Sequence, residues 1–432
     1  MGTLREWAGR VGFLAISVLV LAGGYVQGFW AVGLSVDQPP LVVDLQFIEA
    51  TFAMTTFAGF FLVSGLLFLW HSYRDGEPGI ATDGGHVAAL VPGYDDAGVL
   101  HRSVENLPAS TYENLTVWVV YESDDQPSKQ RAHKLADDHE RVEALENTKY
   151  PGSKAGAINY ATEIVDAAFV AVFDADERIH PRFVAAAVAE LDDCDVVQGR
   201  TIPDPTGVIE SIAYYESVLL NFVARRGLYV VTDFRMAASR AVVMHREALV
   251  ETGGYHTEML TEDFEFAYRC YKHRLDVVEL LAYPSKIEGA HTLRDWWGQR
   301  KRWMTGYAQS SHYLLGESRP LTDYRNPLSA LIALGTVAAG LFLLSVISKF
   351  AVLAVDGGFD VLIGGLAIVI AITLAVQIQD YWQGSIDAFG LTWLAIPLLF
   401  PLYSLVAIKA LVEYLFTWEG EWYSVSKGVS AD

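Results

Sequence analysis

The chain has 432 residues, of which 52% are hydrophobic and 19% are charged, and its formal net charge is −21. This charge argues against a nucleic-acid partner, because a strongly acidic surface repels phosphate backbones. The two cysteines show no CxxC spacing, which excludes a cysteine-based zinc site and is typical of a reducing compartment. The acidic composition resembles that of proteins from salt-loving prokaryotes.

Apolar runs at both ends of the chain predict membrane helices. Each run holds about 17–24 residues, enough for a helix to cross an apolar layer about 30 Å thick. The five runs are Val11–Leu34, Ile48–Trp70, Leu328–Ser348, Val361–Ile378 and Leu391–Ala407. We therefore expect two spanning helices within residues 1–75, about three within residues 325–416, and a tail at 417–432.

The charges around the first apolar run indicate its orientation. Arg5 and Arg10 precede the run, whereas Asp37 and Asp44 follow it. Because basic residues are retained on the cytoplasmic side, the N-terminus and the polar middle region are expected in the cytoplasm. The chain thus reads as a multi-pass protein of the cell membrane.

The polar region at 80–290 alternates short apolar runs with helix-like stretches. The predicted strands are His86–Val91, Leu115–Val120, Phe169–Phe173 and Val196–Gln198, and the predicted helices are Gln130–Ala144, Lys154–Ile164 and Pro181–Leu191. This alternation predicts an α/β domain whose mostly parallel sheet is covered on both faces. Such sheets bind ligands at the carboxyl ends of their strands.

Tyrosine and acidic residues follow the first two predicted strands. Tyr94 and Asp96 come after the first strand, and an acidic cluster at Glu122–Asp125 comes after the second. A tyrosine ring can stack on a base, and a carboxylate can accept hydrogen bonds from a base or a ribose. An ordinary surface turn is the alternative at both places.

The third predicted strand leads directly into Asp174 and Asp176. Two carboxylates at this spacing can share a hard divalent cation that leaves positions open for phosphate oxygens. The pair therefore predicts a Mg²⁺ or Mn²⁺ site for a diphosphate leaving group.

A further acidic motif, Thr261–Asp263, opens a predicted helix. Helix capping explains Thr261 and the two acids structurally, because the first turn favours negative charge. The functional alternative is that one of the carboxylates acts as a general base.

The segment at 291–320 has the pattern of an interfacial amphipathic helix. Trp296, Trp303 and Tyr307 fall on one helical face, and Arg300 and Lys301 fall elsewhere. The pattern predicts aromatic rings at the level of the lipid headgroups and cations on the water side.

The order of these motifs resembles that of the membrane-bound family 2 inverting glycosyltransferases, which include cellulose, chitin and hyaluronan synthases and ceramide glucosyltransferase. The elements that carry the resemblance are Pro92–Asp96, Ser153–Asn159, Asp174–Asp176, Thr261–Asp263 and Gln299–Trp303. The resemblance implies a GT-A (nucleotide-diphospho-sugar transferase) domain with a mostly parallel mixed sheet at 80–290, an α-helical transmembrane region, and a UDP-sugar as donor.

The resemblance also implies roles for individual residues. Asp263 would be the general base with Glu262 beside it, and Asp176 would bind the metal together with Asp174. The donor-binding residues would be Tyr94, Asp96, Glu122, Asp124, Lys154, Asp174, Gln299, Arg302 and Trp303. Because Tyr121–Asp124 replaces the usual paired aspartates, the acid that holds the nucleoside stays open.

The acceptor has two alternatives. The run Phe234–Ser239 lacks the glycine often found in the acceptor-side loop of the family, which leaves the acceptor unassigned. We favour a growing polysaccharide extended by a processive synthase over a membrane lipid glycosylated once. A non-catalytic receptor is a weaker alternative, because Asp174, Asp176 and Asp263 are all present. The oligomeric state is left open.

Overall fold

The computed structural model describes residues 2–26, 40–74, 76–317, 325–342, 345–387 and 391–423. The described chain divides into two compact units. The sheet-containing unit comprises His71–Asp204 and Asp233–Gly289. The helical unit comprises Met1–Trp70, Pro205–Thr232 and Ala290–Val425.

Seven strands within the described residues form one mixed sheet in the order β3-β2-β1-β4-β6-β5-β7. The strands are β1 (Val87–Gly93), β2 (Leu115–Glu122), β3 (Val142–Asn147), β4 (Phe169–Val172), β5 (Val196–Pro203), β6 (Val242–His245) and β7 (Val277–Ile287). Neighbouring strands are parallel except where β6 pairs antiparallel with β4 and β5. The predicted α/β domain with a mostly parallel sheet is confirmed.

Helices cover the sheet. They are α3 (Leu100–Asn106), α4 (Gln126–Asp138), α5 (Lys154–Ile164), α6 (Phe183–Glu190), α9 (Arg246–Glu251) and α10 (Glu262–His273). All seven residues of β1 are buried, as are all eight of β5, because both faces of these strands pack against other elements. Phe173 and Phe183 meet edge to face in this core, with ring centroids 6.0 Å apart.

One predicted helix is partly wrong. The stretch Gln130–Ala144 was expected to be helical throughout, but α4 ends at Asp138, and β3 begins at Val142. Val142 pairs with Val117 of β2, and Asn147 pairs with Glu122. The long-range ladder with β2 therefore outweighs the local helical pattern.

The helical unit contains α1 (Gly2–Tyr25), α2 (Pro40–Arg74), α7 (Val208–Glu216), α8 (Ala224–Thr232), α11 (Leu293–Glu317), α12 (Arg325–Phe342), α13 (Ser345–Val355), α14 (Phe359–Trp382) and α15 (Ile396–Thr417). A π-helical segment, Ser217–Val223, joins α7 to α8. These two helices lie between β5 and β6 in the chain, and the sequence pattern did not single them out. Gly227 of α8 lies so close to α2 that a Cβ there would lie 2.4 Å from Ser64 Oγ.

Three helices in the described chain are long and apolar enough to cross a membrane: Leu45–Arg74, Phe359–Trp382 and Thr392–Thr417. They coincide with three of the five predicted spans. The other two predicted spans overlap with shorter apolar helices, Gly9–Gly23 and Pro327–Ala339. Parts of those two spans, at residues 27–34 and 343–344, lie outside the described residues.

Candidate active site

The strand ends bring several predicted site residues to one edge of the sheet. β1 pairs in parallel with both β2 and β4, so the three strands end on the same side. Tyr94 follows the end of β1, Asp124 follows β2, and Asp174 follows β4. The structure therefore places these three predicted residues at the edge where α/β sheets bind ligands.

Asp174 lies between two cations. Its Oδ1 forms an ion pair with Lys154 Nζ, and its Oδ2 lies 3.7 Å from Nη1 of Arg240. Lys154 is the first residue of α5, and this helix is capped by Ser153, whose Oγ accepts a 3.0 Å hydrogen bond from the Gly156 amide. The helix start thus delivers an ammonium group to the carboxyl end of β4.

Arg240 was missed by sequence reasoning. Because β6 runs antiparallel to β4, Val242 pairs with Val172, and the residues just before β6 lie beside those just after β4. Burial by itself lowers the pKa of Arg240, but nearby negative charges outweigh this effect and raise it. Among these charges, the largest effect comes from Asp174, and Asp263 and Asp176 also contribute. The pair at 174 and 176 and the predicted base at 263 therefore act on the same guanidinium group.

Glu177 is a fully buried member of this acidic group. Its Oε2 accepts a 3.1 Å hydrogen bond from the Asp174 amide. Burial, followed by the charge of Asp174, raises the pKa of Glu177 to about 8. The raised pKa favours the protonated, uncharged form of this carboxyl. Glu177 thus stabilises the loop after β4 through its hydrogen bond with the Asp174 amide.

The two acids of the predicted base motif differ in accessibility. Glu262 is buried, and its Oε1 accepts a 3.0 Å hydrogen bond from Ser239 Oγ. Asp263 is half-buried, and its Oδ1 accepts a 2.8 Å hydrogen bond from the Phe264 amide. Thr261 occupies the N-cap position of α10 but makes no side-chain cap hydrogen bond. Of the two carboxylates, Asp263 is the one open to a substrate.

The residues proposed to bind the nucleoside also differ in burial and in hydrogen bonding. Glu122 is buried, where its Oε1 accepts from Asn147 Nδ2 at 2.8 Å and its Oε2 accepts from the Gly152 amide at 3.3 Å. Burial raises the pKa of Glu122 despite these hydrogen bonds. Asp124 is exposed, and the Tyr94 side chain is 60% exposed. Glu122 thus holds the loop after β3, whereas Asp124 faces solvent.

Asp96 contributes its backbone to the turn after β1. Its carbonyl oxygen accepts hydrogen bonds from the amides of Val99 and Leu100, at 2.9 and 3.0 Å. Its amide donates to Ser128 Oγ at 3.3 Å, which ties the turn to the start of α4. The side chain is half-buried.

The remaining three predicted residues, Gln299, Arg302 and Trp303, lie on α11 in the helical unit. The guanidinium carbon of Arg302 lies 4.1 Å from the ring centroid of Trp422, so the described part of the C-terminal tail covers this side chain. The next tail residue, Tyr423, also contacts α11, because its hydroxyl donates a 2.9 Å hydrogen bond to Asp295 Oδ1.

The expected orientation of α11 is wrong for two residues. Arg300 was expected to face water but is only 3% exposed, and Trp296 was expected at the lipid headgroups but is 1% exposed. Both side chains hydrogen bond to the buried carboxylate of Glu216. A buried anion, which the helical pattern alone does not reveal, draws both side chains into the protein.

The donor set fits a hard divalent cation. Within the described residues, no three or more His, Cys, Asp or Glu side chains are arranged to hold a metal by themselves. Mg²⁺ needs only one or two protein carboxylates when substrate phosphates complete its shell. The oxygen donors of Asp174 and Asp176 meet this requirement.

The sequence matches the family described as Glycosyl transferase family group 2 over residues 169–413, and the family described as Glycosyl transferase family 2 over residues 89–248. Because the first match covers more than half of the chain, this protein belongs to glycosyl transferase family group 2. The resemblance to the family 2 glycosyltransferases is confirmed.

Two relatives are enzymes of glycolipid synthesis. The beta-monoglucosyldiacylglycerol synthase of Trichormus variabilis is 25% identical over 230 residues, covering 51% of this chain and 48% of the relative. The enzyme of the same name from a Nostoc species is 23% identical over 227 residues, with the same coverage. The chain thus spans about half the length of the curated relatives it matches.

A solved structure has a similar fold. The mannosyltransferase of Pyrobaculum calidifontis, in complex with GDP-Man and Mn²⁺, superposes with a TM-score of 0.54 at 18% identity. The match covers 85% of this chain and 99% of that one. At this identity the similarity concerns the fold alone.

Proposed function

We propose that the chain transfers a sugar from a nucleotide-diphospho-sugar, a UDP-sugar by the family resemblance, to a lipid acceptor at the membrane. The observation that carries the proposal is the position of Asp174 at the carboxyl edge of the sheet, just after β4, where its carboxylate contacts Lys154 and Arg240. The names of the relatives and the three apolar helices support a lipid acceptor. This choice reverses our expectation from the sequence, which favoured a growing polysaccharide.

The proposed reaction is a single in-line displacement. The acceptor hydroxyl oxygen forms a bond to the anomeric carbon while the bond between that carbon and the diphosphate oxygen breaks. The hydroxyl proton passes to Asp263, and the configuration inverts. Glu262 accepts a hydrogen bond from Ser239. This contact would fix the first turn of α10, which carries the base Asp263.

Asp176 and Asp174 would hold Mg²⁺ or Mn²⁺. When bound, the cation supplies positive charge that stabilises the leaving diphosphate. Lys154 and Arg240 lie beside Asp174 and provide further positive charge in the same place. EDTA should therefore abolish turnover, and added Mn²⁺ should restore it. Full activity in metal-free buffer would contradict the assignment of Asp176.

The donor's nucleoside would lie over the turn after β1. Tyr94 offers an exposed ring for stacking, and Asp96 with either Glu122 or Asp124 offers carboxylates for the base or the ribose. The accessibility of Asp124 favours it over the buried Glu122. Gln299, Arg302 and Trp303 would bind the diphosphate and shape the acceptor site. The catalytic domain would face the cytoplasm.

Product analysis tests the proposed acceptor. The purified full-length chain would be incubated with radiolabelled UDP-sugars and vesicles that contain diacylglycerol. We expect label in the chloroform-soluble fraction, with a mass that corresponds to one added hexose. Label retained as a polymer at the top of a gel would overturn the lipid proposal and support the polysaccharide alternative.

A further inference from the structure

The helical unit contains a buried carboxylate, Glu216, at the C-terminal end of α7. Its side chain is 1% exposed. Oε2 accepts a 2.8 Å hydrogen bond from Trp296 Nε1, and Oε1 accepts a 3.1 Å hydrogen bond from the Tyr403 hydroxyl. Helices α7, α11 and α15 therefore meet at one acidic group.

Arg300 neutralises this carboxylate. Its Nε lies 3.0 Å from Oε1 of Glu216, and its Nη2 lies 2.9 Å from Oε2, which is a bidentate arrangement. A buried ion pair of this kind adds little net stability compared with a well-packed apolar pair, because both charges lose their hydration. The pair is better explained by the geometry that it imposes on its neighbours.

Those neighbours are two of the three family-motif residues on α11. Arg300 Nη1 donates a hydrogen bond to Oε1 of Gln299. The guanidinium carbon of Arg300 also lies 4.6 Å from the ring centroid of Trp303, within the range of a cation–π contact. One anchored guanidinium group therefore contacts both side chains, and its planar fork fixes their orientation.

We propose that Glu216 is a positioning residue, which holds Arg300 so that Gln299 and Trp303 are presented to the substrate. The inference rests on the roles proposed above for Gln299 and Trp303. Glu216 also lies immediately before the π-helical segment Ser217–Val223. Such segments are rare and occur frequently at functional sites.

The test compares Glu216→Gln with Gln299→Ala and with the double variant in the full-length chain. The Glu216→Gln substitution keeps the shape of the side chain but removes the charge that anchors Arg300. We expect kcat to fall on the order of 10- to 100-fold, because small displacements of positioning groups have effects of this size. In the Gln299→Ala background the same substitution should have a clearly smaller effect, since one target of the positioning is already lost.

A matched control comes from the next residue of the helix. Lys301 forms a 2.5 Å ion pair with Glu413 and does not share the carboxylate of Glu216. Lys301→Gln also removes an ion pair from α11, but this pair is separate from Glu216. The substitution should therefore leave kcat within about twofold, and its effect should be additive with that of Gln299→Ala. Thermal unfolding of each variant measures the purely structural contribution.

The outcomes separate the two proposals. Wild-type kcat in Gln299→Ala would overturn the proposed role of Gln299, whatever Glu216→Gln does. A loss in Gln299→Ala with wild-type kcat in Glu216→Gln would overturn the positioning role alone, as would fully additive losses. If Glu216→Gln does not accumulate in membranes, Tyr403→Phe and Arg300→Lys replace it. Either should reduce kcat non-additively with Gln299→Ala, and wild-type kcat in both would overturn the inference.

Discussion

Acidic side chains near Arg240 have different environments, and the difference decides what each can do. Glu177 is fully buried, so a substrate cannot reach its carboxyl group. Glu262 is buried and engaged by Ser239. Asp263 is the member of the predicted base motif that is half-buried. Exposure, rather than residue type, therefore supports Asp263 as the base.

Asp263→Asn should abolish turnover while donor binding is nearly unchanged. The amide keeps the size of the side chain but cannot take the proton, and loss of a general base lowers kcat by about 10²- to 10⁴-fold. Steady-state kinetics would measure turnover, and calorimetric titration with a UDP-sugar would measure binding.

The control for this substitution is Glu251→Gln, which removes an exposed carboxylate at the end of α9. It should keep wild-type kinetics. Retained turnover in Asp263→Asn would show that another group takes the proton.

Both cysteines should be unreactive in the folded protein. Burial raises the pKa of Cys194 to about 12 and raises that of Cys270 strongly. Because the thiolate is the reactive form, a raised pKa keeps its fraction at pH 8 far below that of an exposed cysteine. A maleimide should therefore label neither residue before denaturation, while an introduced exposed thiol, Ala109→Cys, is labelled quickly. Rapid labelling of the wild-type chain at pH 8 would contradict the burial.

At the scale of elements, the start of α5 is closely packed against the loop that precedes it. Ser153 caps the helix, and Gly156 lies against the preceding loop. A Cβ at Gly156 would lie 2.1 Å from the Tyr150 carbonyl oxygen. The loop cannot easily move, because the Tyr150 amide donates to Asn147 Oδ1 at 3.1 Å.

Gly156→Ala should therefore destabilise the chain by about 1–3 kcal/mol, the usual cost of overpacking. Turnover should also fall, because the shift displaces Lys154 from Asp174. Thermal unfolding followed by intrinsic fluorescence would measure the first effect, and kinetics the second. Gly98→Ala is the matched control, since a Cβ at Gly98 meets no atom within 4 Å. Equal unfolding temperatures for the two variants would refute the packing argument.

At the scale of the whole molecule, the chain combines a GT-A sheet with helices suited to lipid. Three described helices are long and apolar enough to span a membrane, and their flanks carry aromatic residues such as Trp382 and Trp418. These helices could span a membrane. Membrane association, the cytoplasmic side of the catalytic domain and a salt-loving origin stay predictions.

The full-length chain should resist alkaline carbonate extraction from membranes. Helices of at least about 20 apolar residues insert in the lipid, whereas charge-based attachment is removed at high pH. Immunodetection of pellet and supernatant would measure the outcome. A peripheral membrane protein extracted in parallel serves as the control, and release of this chain with it would contradict spanning helices.

Sequence by itself determined the features that depend on local pattern. Periodicity placed β1, β2, β4 and α5, apolar length indicated the membrane helices, and the order of acidic motifs identified the family. These properties are encoded by residues close together in the chain. They include all the predicted site residues at the strand ends, although not the contacts that those residues make.

Only the tertiary structure decided which distant residues meet. Arg240 reaches Asp174 because β6 pairs antiparallel with β4, and Arg300 turns inward because Glu216 lies buried some 80 residues earlier in the chain. Likewise β3 is a strand because β2 offers it a hydrogen-bonded ladder. Strand register and the pairing of buried charges depend on the whole fold, so no local window of sequence contains them.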